Sequence, residues 1–379
     1  MKSWIKKYAL TILVIISIPI IIYLSPLTGN KNNIPKYFNQ QFEKGRVVSV
    51  LEEELEPDEA VPERLNGKQV LEIEVLSGKY QGQIYSSNNL LTRSHNVLAT
   101  EGMNIVVGIR ETDDGPQVWV YNYRRDIAIY WIVGAFLVLL IVLGRMKGLR
   151  SAVSLFFTGT VLIFILVPQL FSGRSAILTT VYLMSITVVI SFILISDWSK
   201  KTLAAILGTI GGITIAGFIS FFVGRLTFLT GINMTQGEQL AYMVQGYGID
   251  ISGLIFAAIL ISSLGAVMDV AMSIASSINE VHSHKPDLSR KKLFVSGMNV
   301  GKDIMGTMSN TLILAFAGGS LTTMMIIYGY QLQTLQFLNL QEVVIDIIQG
   351  FSGSIGIILT VPLTAFIMTR ILSRKKGDE

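Results

Sequence analysis

Apolar runs of membrane-spanning length recur along most of this chain, separated by short connections. They fall at residues 8–24, 127–144, 151–171, 176–196, 202–223, 251–277, 303–329 and 344–370. Roughly 20 apolar residues in a helix cover the ~30 Å hydrocarbon core of a bilayer, so the pattern predicts eight transmembrane helices. The first run follows Lys2, Lys6 and Lys7. It is long for the apolar part of a signal peptide and lacks a small-x-small site near Ser25, so it is expected to stay in place as an anchor.

Residues 25–125 follow a different pattern. A linker rich in Pro, Gly and Asn is expected over 25–42. Beyond it, short alternating runs predict strands at Arg46–Leu51, Gln69–Leu76, Gln81–Ser86, Asn104–Ile109 and Gln117–Tyr121. Turn signals stand at Asn66-Gly67, Ser77-Gly78 and Asp113-Asp114-Gly115-Pro116. Five short strands in under 100 residues suit a small β-barrel of OB type. The expected organisation is therefore an anchor at 1–24, a small β-domain at 25–125 and a seven-helix membrane body at 126–379. The fold class is mostly α, with one inserted β-domain.

Charge adds an orientation. Only 15% of the 379 residues are charged, against about 25% in soluble proteins. Counted over the termini and the short connections, leaving out residues 25–125, one side of the expected bundle carries seventeen Lys and Arg, while the other carries only Arg174 and Arg225. Basic excess in short loops marks the cytoplasmic side, which puts both termini in the cytoplasm and residues 25–125 outside. The β-domain is acidic, with a net charge of −3, which argues against nucleic acid as its partner. The run Glu52–Glu59 reads as a solvated loop. His95 receives no role. The chain has no cysteine, so neither a disulfide nor a thiolate chemistry is available.

The candidate chemistry lies on the sixth and seventh runs. Asp269, Ser273, Ser276 and Glu280 form one polar stripe, extended by Ser262 and Gly265; Asn299, Asp303, Gly306 and Asn310 form another. Steps of three and four keep each set on one helix face. An ionisable group at membrane depth is costly and commonly marks a pathway. Similar depths in antiparallel neighbours would set Asp269 near Asn310, and Glu280 near Asn299 and Asp303. Three readings fit Asp269: a cation or proton site in transport, a hydrogen-bonded residue that only holds helices together, and half of a catalytic aspartate pair. The third needs two carboxyls close enough to share a proton, and the residues flanking Asp269 and Asp303 lack the motifs of such proteases.

Weaker signals surround these stripes. Glu280, His282, His284 and Asp287 could gather a divalent metal, but His-x-His in a basic loop is a weak motif. Residues 288–300 suit an amphipathic surface helix with Leu288, Leu293, Phe294 and Met298 toward lipid, or else a loop helix packed on the bundle. Gly208, Gly212 and Ala216 suit close helix packing, with a mobile helix as the sharper alternative. Pro19, Pro168 and Pro362 are candidate kinks. Glu238, Asp250, Glu342 and Asp346 stand near outer span ends, with Gln349 close by; they line an outer entrance or are ordinary interfacial residues.

Two segments carry a resemblance. Gly265-Ala266-Val267-Met268-Asp269-Val270-Ala271-Met272-Ser273-Ile274 and Gly297-Met298-Asn299-Val300-Gly301-Lys302-Asp303-Ile304-Met305-Gly306-Thr307-Met308-Ser309-Asn310-Thr311-Leu312 resemble signature segments of YibE/F-like bacterial membrane proteins. The resemblance extends over almost the whole chain, including Ser77-Gly78-Lys79-Tyr80-Gln81-Gly82. It implies a multi-pass membrane protein, sometimes labelled a permease, and supplies neither substrate nor site residues. The leading expectation is a transporter or permease for an ion or small solute, in contact with lipid, with no cofactor and no enzymatic activity. A homo-oligomer is compatible with it. The alternative is a non-transporting scaffold or sensor whose exterior β-domain binds a partner.

Overall fold

Strand β1 (Gln40–Pro57) is the spine of the β structure in this computed structural model, which describes residues 2–28, 40–113, 115–231, 237–243 and 250–373. β1 pairs antiparallel with β2 (Leu65–Val75) and, through its first half, with β4 (Asn104–Thr112). β3 (Ile84–Leu91) joins β2, and β5 (Gly115–Tyr123) joins β4. The order is β3-β2-β1-β4-β5. Register shifts between Val47 and Ser49 and between Val50 and Glu52 mark irregularities in β1, which bend a strand and raise its twist. The edge strands β3 and β5 approach without pairing, so the sheet is curled.

Burial follows the two-residue period of a half-buried strand. Leu71, Ile73 and Val75 point inward from β2, Ile105, Val107 and Ile109 from β4, and Val118 and Val120 from β5. Gln69, fully buried, donates to Glu53 and to the Ala99 carbonyl and accepts from the Ala99 amide and from Asn89. A polar side chain is thereby held in the core without orphaned groups.

All five expected strands are present, with three local differences. Asn66-Gly67 is not a turn: it lies within β2 opposite Glu56 and Leu55, with Gly67 at φ +139°. The chain reverses instead over 58–64, where the Asp58 carboxylate accepts from the Ala60 and Val61 amides and from Asn66. Glu52–Glu56 is exposed strand rather than loop. The third strand starts later than expected because Ser77 to Gly82 form successive turns, with Gly78 at φ +79° and Gly82 at φ +82°. Residues 29–39 of the expected linker, and Asp114, lie outside the described residues.

The remaining elements are helices: α1 (Lys2–Thr28), α2 (Asp126–Val161), α3 (Val167–Phe171), α4 (Ala176–Ser196), α5 (Lys200–Leu226), α6 (Gly237–Met243), α7 (Ile251–His284), α8 (Arg290–Gly319), α9 (Leu321–Gly329), α10 (Thr334–Phe337) and α11 (Gln341–Ser373). Among the described residues, five helical stretches are long and apolar enough to cross a membrane, or six if α8 and α9, bent by 59°, form one span; the apolar part of α1, Ala9–Ser25, is shorter. The chain divides into two compact units, residues 1–31 with 140–379, and residues 32–139. The start of α2 thus belongs with the β structure rather than with the helical body.

Two expected spans, 127–144 and 151–171, merge into one stretch, Asp126–Phe171, with a break at a single residue. Arg145 has φ 48° and ψ −129°. A Cβ added to Gly148 would lie 1.9 Å from the Leu140 carbonyl oxygen. Residues eight apart in a straight helix are about 12 Å apart along its axis, so the chain folds back sharply here, without the expected loop. A π-helical turn at Leu162–Leu166 precedes Pro168, whose missing amide interrupts the ladder.

α11 is the hub of the helical unit, packed against α5, α7 and α8. Small residues allow this closeness. A Cβ on Gly208 would meet Thr364 Oγ1 at 2.0 Å, and one on Gly212 would meet Thr360 Oγ1 at 1.8 Å. The small-residue stripe expected on the fifth run is therefore a packing face of α5. At the other end, Arg150 donates to Asp197 at 2.8 Å and ties α2 to the α4–α5 connection.

Candidate functional site

α7 begins at Asp250, whose carboxylate caps the helix by accepting from the Gly253 amide at 3.0 Å. One side of α7 is core: Phe256, Leu260, Val267, Ile274 and Ile278 are buried. The other carries Ser262, Gly265, Asp269 and Glu280, all exposed, with Ser273 and Ser276 half-buried between them. The four polar positions expected to share a face do share one. That face is turned outward from the packed side of the helix.

α8 shows the same division. Its buried positions are Leu293, Gly297, Gly301 and Leu312. A Cβ on Gly297 would lie 2.4 Å from Ile278 Cδ1, and one on Gly301 would lie 2.1 Å from Val361 Cγ1 and 3.2 Å from Ile274 Cδ1. The glycine side of α8 is therefore the side that meets α7 and α11. Asn299 and Asp303 stand two residues after those glycines, and two residues turn a helix by about 200°. Asn299, Asp303, Gly306 and Asn310 accordingly lie exposed on the opposite face.

The seam between α7 and α8 is thus apolar and filled, and the α8 stripe faces away from α7. The expected pairings of Asp269 with Asn310, and of Glu280 with Asn299 and Asp303, do not form. Spacing alone fixed which residues share a face but left each helix free to rotate. The glycines at 297 and 301 were the available signal for rotation, because close approach needs them on the inner side.

Glu280 instead meets His284 at 3.1 Å, one turn along the same helix. α7 runs through His284, so this segment is helical where a loop was expected. Among the described residues no group of three His, Asp or Glu side chains gathers as a metal site. The stretch expected as a separate surface helix is the first part of α8 itself. Leu293 is buried and Phe294 and Met298 pack on the core, so these residues face the bundle rather than lipid.

A second feature was only half legible. Asp346 of α11 accepts a hydrogen bond from Ser320, which sits at the 59° bend between α8 and α9. Beside them lies a cavity of about 180 Å³ whose walls include Phe316, Met324, Ile327, Phe337 and Phe351. Asp346 was visible as a carboxylate near a span end. Ser320 itself carries no sequence signal, although Gly318-Gly319 before it signals a helix break. Gln349 approaches Ser262 at 3.5 Å and links α11 to the exposed side of α7.

The family model described as YibE/F-like protein matches residues 132–374, well over half of the chain and including both signature segments. The chain belongs to the YibE/F-like family. The match starts after the β structure, so membership rests on the helical part rather than on nearly the whole chain. Comparison with curated proteins and with solved structures gives no match. Family membership and the apolar helices together indicate a membrane protein.

Proposed function

We propose that this YibE/F-like chain is a multi-pass protein of the bacterial cytoplasmic membrane that passes an ion or small polar solute along the outward polar faces of α7 and α8. One observation carries the reading. Two packed helices present polar side chains, the Asp269 carboxylate on α7 and Asn299, Asp303 and Asn310 on α8, on faces that the described residues leave exposed. Such groups do not stably face hydrocarbon. A hydrated path, closed by a second copy of the chain, gives them water and partners. Asp269 is the cation- or proton-binding group, Ser273 and Ser276 complete its surroundings, and Glu280 of one copy and Asp303 of the other line the inner mouth.

The topology proposed with it has eight spans. The reversal at Arg145 supplies two of them from one stretch, and the bent α8–α9 pair supplies another. The distribution of Lys and Arg supports cytoplasmic termini and an exterior β-domain. The curled five-stranded sheet supports an OB-type reading of that domain. The test is flux from proteoliposomes: Asp269→Asn abolishes pH- or cation-dependent transport, whereas unchanged transport removes Asp269 from the mechanism.

A second reading is favoured by the filled seam between α7 and α8. In it the polar faces are contact surfaces of a scaffold or sensor, and no solute moves. Asp269→Asn then weakens assembly in a native gel while wild-type vesicles show no flux.

A further inference from the structure

Three arginines from distant parts of the chain converge on one side of the β structure. Arg64 comes from the turn before β2, Arg93 from the segment after β3, and Arg125 from the segment between β5 and α2. With His95, Asn96 and Tyr123 they line a cavity of about 330 Å³. Ligand sites typically begin near 300 Å³. All of these residues belong to the same compact unit.

Hydrogen bonds position the walls of this cavity. Arg93 donates to the buried Asp58 at 2.7 Å, and Arg64 donates to the Arg93 carbonyl at 2.5 Å. Arg125 donates to Asn122 at 2.9 Å and lies 5.4 Å from the centre of the Tyr123 ring. Asn96 is anchored on the Leu65 carbonyl. The Tyr123 hydroxyl accepts from the Leu98 amide at 2.9 Å, which leaves its own proton available to donate.

The charges are not balanced. Arg93 has Asp58, but among the described residues no ion pair involves Arg64 or Arg125. Gathering like charges is costly unless a counter-charge is present. The domain as a whole is acidic, so this cationic concavity is a local exception, held in place by specific bonds. Guanidinium forks match phosphate geometry.

The position of the cavity indicates where the phosphate comes from. Arg125 immediately precedes α2, whose first turns expose Tyr130 at 71% and Trp131 at 76%. Exposed Tyr and Trp at the start of an apolar helix mark the membrane–water boundary. A step of six residues from Arg125 to Trp131 is about 9 Å along a helix, so Arg125, and the cavity it lines with Arg64 and Arg93, stand close to that boundary. We propose that Arg64, Arg93 and Arg125, with the Tyr123 hydroxyl, form a binding site for the phosphate of a phospholipid headgroup. The inference rests on α2 entering the bilayer and is independent of transport.

The test uses the full chain in a maltoside detergent, which carries no phosphate. Thermal unfolding is followed while phosphatidylglycerol, a diacylglycerol with the same acyl chains, or inorganic phosphate is added. Phosphatidylglycerol is expected to raise the unfolding temperature more than the diacylglycerol. Combined Arg64→Gln and Arg125→Gln should weaken its apparent affinity roughly tenfold or more, since each removes charge-assisted bonds. Each single substitution should weaken it part-way, and Arg110→Gln, outside the cavity, should leave it unchanged. Equal effects of the two lipids, a phosphatidylglycerol effect that survives the double substitution, or a response to inorganic phosphate alone would overturn the proposal.

Discussion

Gly301 of α8 seats against Val361 of α11 so closely that a Cβ at 301 would fall 2.1 Å from Val361 Cγ1. This contact fixes the rotation of α8, and with it the outward direction of Asp303. The packing of two apolar residues decides where the charged one points.

Substitution at this contact should therefore be costly. Gly301→Val forces the seam between α8 and α11 apart and is expected to destabilise the chain by about 1–3 kcal/mol. Gly306, on the opposite face, has nothing within 4 Å of an added Cβ. Gly306→Ala should be neutral or stabilising by up to about 1 kcal/mol, because alanine favours the helix. Unfolding in detergent measures both. Equal losses in the two variants would show that α8 is rotated differently.

Arg145 holds the reversal within Asp126–Phe171 at a positive φ of 48°, a region that L side chains enter at a cost of roughly 1–3 kcal/mol. Arg145→Gly should relieve part of that cost and raise the unfolding temperature, while Arg145→Val should lower it. A straight helix through residue 145 would give the opposite order, since glycine is the poorer helix former.

Asp58 makes the β structure sensitive to acid. Arg93, then Asn66, and then the Ala60 and Val61 amides hold its carboxyl well below the usual carboxylate range. A lowered folded-state pKa adds stability that is full above the unfolded-state value, near 4, and is lost as pH falls toward the folded-state value. Hydrogen exchange at the Ala60 and Val61 amides, corrected for intrinsic rates, should lose protection below about pH 4. Asp58→Asn should lower protection at neutral pH and flatten that acid dependence. An unchanged acid limb in the variant would assign the effect to another group.

Much of this architecture was legible in the sequence, for identifiable reasons. The residues 176–196 coincide with α4, because a uniform apolar run bounded by polar residues has one helical reading. The strands of β4 and β5 were legible through their two-residue alternation. The turn at 58–64 was not, because its determinant is a set of bonds to one carboxylate, whereas Asn66-Gly67 carries a strong local turn signal that strand pairing overrides. The break at Arg145 falls within the stretch where a loop is expected, but composition does not show that one residue at positive φ suffices. The faces of the polar stripes were legible from spacing. Their directions were not, because rotation is set by partners on other helices, such as Val361 for Gly301. The cavity around Arg64, Arg93 and Arg125 draws on three segments separated by about 30 residues each, and no local pattern announces it.

The central claim is that the exposed polar faces of α7 and α8 are wet. The native chain has no cysteine, so single cysteines can be placed at will in the membrane-embedded protein. The decisive measurement is their labelling by a water-soluble thiol reagent. Asp269→Cys, Asp303→Cys and Asn310→Cys should react, while Leu178→Cys and Phe218→Cys, at exposed apolar positions of α4 and α5, should not. Protection of 269, 303 and 310 to the same degree as 178 and 218 would contradict a hydrated path and leave these faces as dry contacts between helices.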